Sequence, residues 1–225
     1  KEKGCNPRML ASFVDGTKTM VEMTAMANAT GFLPDVPGGH GVEGAVSELP
    51  KLLSLESEGG VLHSYGVVEY VRGIAPGVFA IISSPMPEVR ETLRYISMGD
   101  GPNYILYRPY HLTSPETPVS IARAVLDHTP TIAPRAGQVA ETVTAAKRDL
   151  APGETLDGIG GYMVRGVIMS HADAKAKNLL PMSLSGCSVK MKRPVAAGDY
   201  VSWDDVELDE SLLLVKLRRA QDEKM

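Results

Sequence analysis

Helical periodicity stops near Thr131-Ile132-Ala133-Pro134-Arg135, and short apolar runs separated by Gly and Pro take over for the rest of the chain. No other feature constrains the fold as much. A half-buried helix needs apolar residues every three or four positions, whereas a half-buried strand needs them every two. The change divides the 225 residues into a helix-bearing part at 1–133 and a strand-bearing part at 137–217. Two parts also suit the length, since one domain ordinarily takes about 100–150 residues. With 44% apolar and 22% charged residues, the chain can fill two cores. It is not a disordered chain, a collagen-like chain or a disulfide miniprotein.

In the first part, residues 17–30 read as a helix. Asp15-Gly16-Thr17 supplies capping chemistry at its entrance, its interior has no Pro, and Gly31 stands where a left-handed residue ends a helix. Met20, Val21, Met23, Ala25, Met26, Ala27 and Ala29 make it apolar around most of its circumference, which predicts burial on several sides. The methionines at 9, 20, 23 and 26 are read as adaptable core filling. Beyond a Pro- and Gly-rich loop at 32–44, the pattern predicts a short helix near 45–55 and strands at 67–71, 78–83 and 104–107. Helices are expected at 87–95 and 116–127. This is an α+β arrangement.

In the second part, Asp149-Leu150-Ala151-Pro152-Gly153-Glu154-Thr155-Leu156 and Pro194-Val195-Ala196-Ala197-Gly198-Asp199-Tyr200-Val201 resemble each other. Each joins two short strands through a Gly turn followed by an acid, which suits tight turns in a compact, mostly-β module. A last strand is expected at 211–217.

Several function classes drop out. A net charge of −4 and a pI near 5.8 cannot neutralise many phosphates, so no nucleic acid is expected. No run approaches the ~20 apolar residues of a membrane span, and residues 1–7 hold no apolar signal-peptide core. Cys5 and Cys187 are far apart with no Cys-x-x-Cys spacing, and read as reduced thiols of a cytoplasmic chain. The histidines at 40, 63, 111, 128 and 171 lie in five segments without HExxH or HxH pairing, which argues against a zinc motif of standard spacing. Any requirement for a divalent metal stays open. No GxSxG nucleophile elbow occurs. The string Gly39-His40-Gly41-Val42-Glu43-Gly44 follows a Pro-rich loop rather than a strand, so it is rejected as a dinucleotide fingerprint.

Seven residues are candidates for chemistry. Lys18 and Glu22, four apart, share a helix face, and Asp15 sits at the helix entrance. Reduction of a carbonyl builds negative charge on its oxygen, which a lysine ammonium can neutralise or protonate while a carboxylate holds it in place. The alternative is an ordinary surface pair. Arg108, Tyr110 and His111 mark a strand-to-helix passage, where Arg108 suits a phosphate or carboxylate and His111 a carbonyl or hydroxyl. Thr113-Ser114-Pro115-Glu116 reads equally well as a helix-capping run. His40, in its Gly-rich loop, is a candidate substrate contact. His63, His128, His171 and Cys187 are assigned no role.

The second part resembles a SAF (β-clip) domain, through Arg148-Asp149-Leu150 to Leu156, then Leu180-Pro181-Met182-Ser183-Leu184, then Pro194-Val195 to Val206. The first part resembles the substrate and oligomerisation part of homoserine-dehydrogenase-like oxidoreductases. The nearest subgroup is the 1-deoxy-D-xylulose 5-phosphate reductoisomerase-like proteins with a C-terminal SAF domain. The segments behind this are Ser12-Phe13-Val14-Asp15-Gly16-Thr17-Lys18, Pro37-Gly38-Gly39-His40-Gly41 and residues 106–125. The resemblance implies a fold of an α+β substrate/oligomerisation domain followed by a mostly-β SAF domain. It implies reduction of a small polar carbonyl or sugar-phosphate-like substrate with NADP or NAD, and a homo-oligomer. In that family a Rossmann domain precedes these segments, so Lys1 is expected to be internal to a longer protein and the cofactor to be held mainly upstream. The alternative is a non-enzymatic SAF-type module that binds carbohydrates or acids, or that serves oligomerisation.

Overall fold

The computed structural model describes residue 4, residues 6–74 and residues 76–224; Cys5 lies outside them. The chain forms two compact units. The first joins the stretch up to Gly39 with the stretch from Pro134 onward, and the second runs from His40 to Ala133. One unit limit therefore falls where the periodicity changes, but the stretch up to Gly39 sides with the C-terminal stretch rather than with 40–133. Among the described residues, no helix is long and apolar enough to cross a membrane.

In the first unit, the Asn6 side chain accepts the Arg8 and Met9 N–H groups and so caps the helix Pro7–Val14. The helix Thr17–Thr30 follows and ends at Gly31, whose N–H bonds the Ala27 carbonyl. Thr17, Met20, Met23 and Ala27 are its buried residues. They face an antiparallel pair of strands, Ala140–Ala146 and Val164–Ser170, in register from Ala140 opposite Ser170 to Ala146 opposite Val164. Every residue of Ala140–Ala146 is buried. Such a strand needs mostly small side chains on its two faces, and Ala and Thr supply them. Gly166 on the partner strand has no room for a Cβ, which would press on Thr142 at 2.8 Å and Thr17 at 3.1 Å.

Three polar side chains on one face of the helix complete the docking. The Thr17 hydroxyl accepts the Gly166 N–H at 2.9 Å. Thr24 and Thr142 share a hydroxyl–hydroxyl bond of 2.7 Å. Asn28 Oδ1 accepts both the Val139 and the Ala140 N–H, at 2.8 and 2.9 Å. These bonds join groups far apart along the chain, so they decide which unit the N-terminal stretch joins.

The two similar segments pair with each other. Leu150 and Val195 form an antiparallel bridge, each N–H donating to the other's carbonyl, and the Ala197 N–H donates to Asp149. Their turns match: Gly153 and Gly198 are both left-handed, at φ 88° and 91°, and the N–H groups of Glu154 and Asp199 return to Ala151 and Ala196. Around them Leu150, Leu180, Met182, Leu184, Val189 and Val201 build a common core.

The strand expected at 211–217 is instead part of a helix, Leu213–Glu223. Its lead-in turns because the Ser211 N–H bonds the Asp209 carboxylate. Val215 is fully buried while Leu213 is 71% exposed, and Arg218 pairs with Asp222 one turn on. The apolar run at 212–215 hid a helical pattern that only the Val215/Arg218/Asp222 spacing carries. Arg218 also reaches Glu141 on the buried strand, at 2.5 Å.

In the second unit, the strands Val78–Ser83 and Asn103–Arg108 pair antiparallel, Val78 opposite Arg108 and Ser83 opposite Asn103. The helix Pro87–Tyr95 connects them, and the helix Thr113–Leu126 follows. Leu49, Leu53, Leu62, Leu93, Tyr104 and Ile105 are buried here. The short helix expected at 45–55 is present as a 3-10 turn, Val46–Glu48, that runs directly into the α-helix Leu49–Leu52. The strand expected at 67–71 is broken at Glu69-Tyr70 into Val67–Val68 and Val71–Arg72. The break has a local cause, because the Glu69 carboxylate takes the N–H of Tyr70 at 2.8 Å.

Replacing Asn28 with Ala leaves the Val139 and Ala140 N–H groups without their acceptor. Unmet buried donors of this kind cost about 2 kcal/mol. Urea unfolding of Asn28→Ala is expected to show that loss at an unchanged m-value, and a loss below about 0.5 kcal/mol would contradict this docking.

Candidate functional site

The corner between the helices Pro7–Val14 and Thr17–Thr30 carries three of the seven candidate residues, and the structure separates their roles. Asp15 does not hold Lys18. One oxygen accepts the Thr17 N–H at 2.9 Å, and the other pairs with the Lys147 ammonium. Lys147 in turn donates to the Gly161 carbonyl at 2.6 Å. Burial acts to raise the Asp15 carboxyl, but Lys147 and the Thr17 N–H and hydroxyl outweigh it and hold it below its ordinary value. Asp15 is therefore a positioning residue: it starts the helix and ties the corner to the C-terminal stretch.

Lys18, on the first turn beyond this tie, is half-buried, and its ammonium lies 4.0 Å over the Phe13 ring. A cation in this position is attracted by the negative face of the ring. Glu22 is exposed one turn further. Among the described residues no ion pair joins it to Lys18. Phe13, which sequence reasoning passed over, is the group that orients the lysine. It lies across a turn from Lys18, on another helix, and so gives no periodic signal.

Arg108, Tyr110, His111 and His40 belong to the second unit. Arg108 pairs with Glu116 and stands over the Tyr110 ring at 4.8 Å. The other Glu116 oxygen accepts the Leu112 N–H at 2.6 Å. The Leu112 N–H and Arg108 together hold the Glu116 carboxyl below its ordinary value. Glu116 thus links Arg108 to the entrance of the helix, and the side chains of Tyr110 and His111 are exposed.

His40 is built into its loop by Glu69, whose carboxylate accepts the His40 N–H at 2.7 Å and the Gly41 N–H at 3.3 Å. Its ring lies 5.8 Å from that of His63, tilted by 47°, and His63 Nε2 is 3.7 Å from Glu56. Histidines from separate segments thus meet, although no spacing motif announced it. The Gly-rich string itself does not suit a dinucleotide. A Cβ on Gly41 would collide with the Tyr70 hydroxyl, so this glycine admits Tyr70 rather than a pyrophosphate.

The first unit also holds two adjoining cavities of about 180 and 460 Å³ that share Glu141 and Arg218 in their walls. His171 lines the smaller one. Burial pushes its imidazole below the ordinary value against the opposing pull of Glu141.

Residues 1–117, just over half of the chain, match the family model described as oxidoreductase DRL, catalytic domain. No curated protein matches the chain.

Because the folded Asp15 carboxyl is depressed, it contributes stability above the ordinary aspartate value of about 3.9 and loses it as pH falls through the lower folded value. Wild type is expected to lose unfolding free energy on acidification below about pH 5, and Asp15→Asn to lose measurably less over the same range. Equal pH slopes in paired urea titrations would show that the tie between Asp15 and Lys147 contributes nothing to stability.

Proposed function

The chain belongs to the oxidoreductase DRL catalytic-domain family, and from that membership we propose that it reduces a small polar carbonyl or a sugar-phosphate-like substrate, in the manner of the reductoisomerase-like or homoserine-dehydrogenase-like enzymes. One observation carries the reading: Lys18 lies within the matched residues and keeps its ammonium over Phe13, while Lys147 is engaged by Asp15. As hydride reaches a carbonyl carbon, the oxygen becomes an alkoxide. A preorganised ammonium stabilises that charge and delivers the proton. In this reading Glu22, one turn along the same helix, is the group that returns a proton to Lys18. Asp15 fixes the first turn from which Lys18 projects.

The hydride source in this reading is NADPH or NADH, held by a nucleotide-binding domain outside the residues described. The C-terminal strands are read as a SAF-type module, supported by the paired turns at Gly153 and Gly198 and the buried Leu180, Met182 and Leu184. A homo-oligomer suits the helix Thr113–Leu126, which leaves Val119, Ile121, Val125 and Leu126 exposed. A second reading, a module that binds a carbohydrate or an organic acid, draws support from the two cavities beside Glu141 and Arg218.

In a full-length protein that turns over, Lys18→Met is expected to lower kcat for NADPH-dependent carbonyl reduction by about 10²–10⁴-fold, with little change in thermal unfolding. Lys18→Arg should keep part of the activity. Activity within twofold of wild type in Lys18→Met would remove Lys18 from the reaction.

A further inference from the structure

We propose that the two cavities beside Glu141 and Arg218 form one binding site for a small uncharged polyhydroxy compound, a polyol or a simple sugar, held by Gln138, Glu141, His171 and Arg218. The proposal rests on the second reading above, which it narrows to an uncharged ligand, and it is independent of the reductase reading.

The first support is a group of buried polar atoms in the cavity walls. His171 lines the smaller cavity, Gln138 the larger, and Arg218 both. Among the described residues, His171 Nδ1, Gln138 Oε1 and Arg218 Nε find no hydrogen-bond partner. All three side chains converge on one carboxylate oxygen. Gln138 Nε2 donates to Glu141 Oε2 at 2.6 Å, which leaves Gln138 Oε1 as an acceptor. Arg218 Nη1 donates to the same oxygen at 2.5 Å, and His171 Nδ1 stands 4.0 Å from it. That last distance is too long for a direct bond, but an oxygen about 2.8 Å from each atom fits over the gap at roughly a right angle. The two ends of an amide group are only about 2.3 Å apart, so a small molecule over that gap can also reach Gln138 Oε1.

The second support is that the charges of this place are already balanced. Arg218 pairs with Glu141 and also stands 2.9 Å from Asp222, though out of line for a hydrogen bond from its Nε. Arg219 lies 3.9 Å over the Trp203 ring and pairs with Glu210 at 3.0 Å. Lys175 is exposed. Burial holds the His171 imidazole below its ordinary value, so it is neutral at neutral pH. An anionic ligand would meet the Glu141 carboxylate with no buried cation left to receive it. A hydroxyl suits every group present. It donates to Gln138 Oε1, accepts from Arg218 Nε, and serves His171 Nδ1 in either tautomer.

The third support is a backbone fixed in advance. Asn28 accepts the Val139 and Ala140 N–H groups, and the Val139 carbonyl accepts the His171 N–H at 2.8 Å. The residue next to Gln138 is thereby tied to His171 itself. Ser170 caps the helix that begins at His171. Groups held this way lose little freedom when a ligand arrives.

The test titrates the full chain with erythritol, sorbitol and D-glucose, and with gluconate as an anionic counterpart. The side-chain amide signals of Gln138 and the imidazole signals of His171 are followed by NMR. At least one uncharged probe is expected to shift both sets saturably, with gluconate at least about tenfold weaker. Gln138→Leu and His171→Phe should each weaken that binding at least about threefold. Gluconate binding at these residues within tenfold of the best uncharged probe would overturn the proposal and leave the second reading standing. Absence of saturable shifts with every probe would overturn both. Shifts centred on residues outside these cavities, or unchanged affinity in both variants, would also sink the proposal. The shifts are read on wild type, so the test holds even if a variant unfolds, and no outcome depends on reductase activity.

Discussion

The docking of the helix Thr17–Thr30 on the strands Ala140–Ala146 and Val164–Ser170 is the interaction on which the rest of the first unit depends. Thr17, Thr24 and Asn28 lie along one helix face and each bonds a group on or beside the strands. Met20, Met23 and Ala27 fill the space between those bonds. The strand beneath can accept a helix this close because it is built mostly of Ala and Thr, and because Gly166 omits a side chain where Thr17 and Thr142 converge. Apolar contact alone would leave the helix free to slide. The polar bonds set its register, since a shift of one residue would strand the Val139 and Ala140 N–H groups in a buried place.

From that register follows the position of every charged group at the corner. Asp15 meets Lys147 because the helix entrance is held beside the strand end, and Lys18 is left to Phe13. The same division of labour recurs elsewhere in the chain. Glu69 is spent on the N–H groups of His40, Gly41 and Tyr70, and Glu116 on Leu112 and Arg108. Asp157 accepts the N–H groups of Tyr162 and Met163, and Glu154 those of Ala151 and Arg148. Carboxylates in this protein mostly organise loops, accepting charge-assisted bonds from donors that no strand or helix satisfies. An acid near a suspected site is therefore weak evidence of catalysis.

Local chemistry was readable where an element depends on its own residues. The helix Thr17–Thr30 ends at Gly31, and the helix Pro87–Tyr95 and the strand Val78–Ser83 lie where periodicity and punctuation placed them. The C-terminal helix looks like a strand in the sequence, because Leu212, Leu213, Leu214 and Val215 follow one another without a polar gap. Its helical face shows only in Val215, Arg218 and Asp222. The similarity of 149–156 to 194–201 was visible, but not that the two segments pair through Leu150 and Val195. Similar turns predict similar shapes and say nothing about who the neighbour is.

The sequence by itself determined the turns, the helix ends, the change of texture near residue 133 and the set of residues able to do chemistry. These depend on backbone preferences and periodicity, which act over a few residues. Only the tertiary structure decided that the stretch up to Gly39 belongs with the stretch from Pro134 onward, that Asp15 serves Lys147 rather than Lys18, and that His40 and His63 share one place. Those outcomes rest on bonds and contacts between groups far apart in the chain. Spacing along a chain carries no record of which distant donor will meet which acceptor once the core has closed.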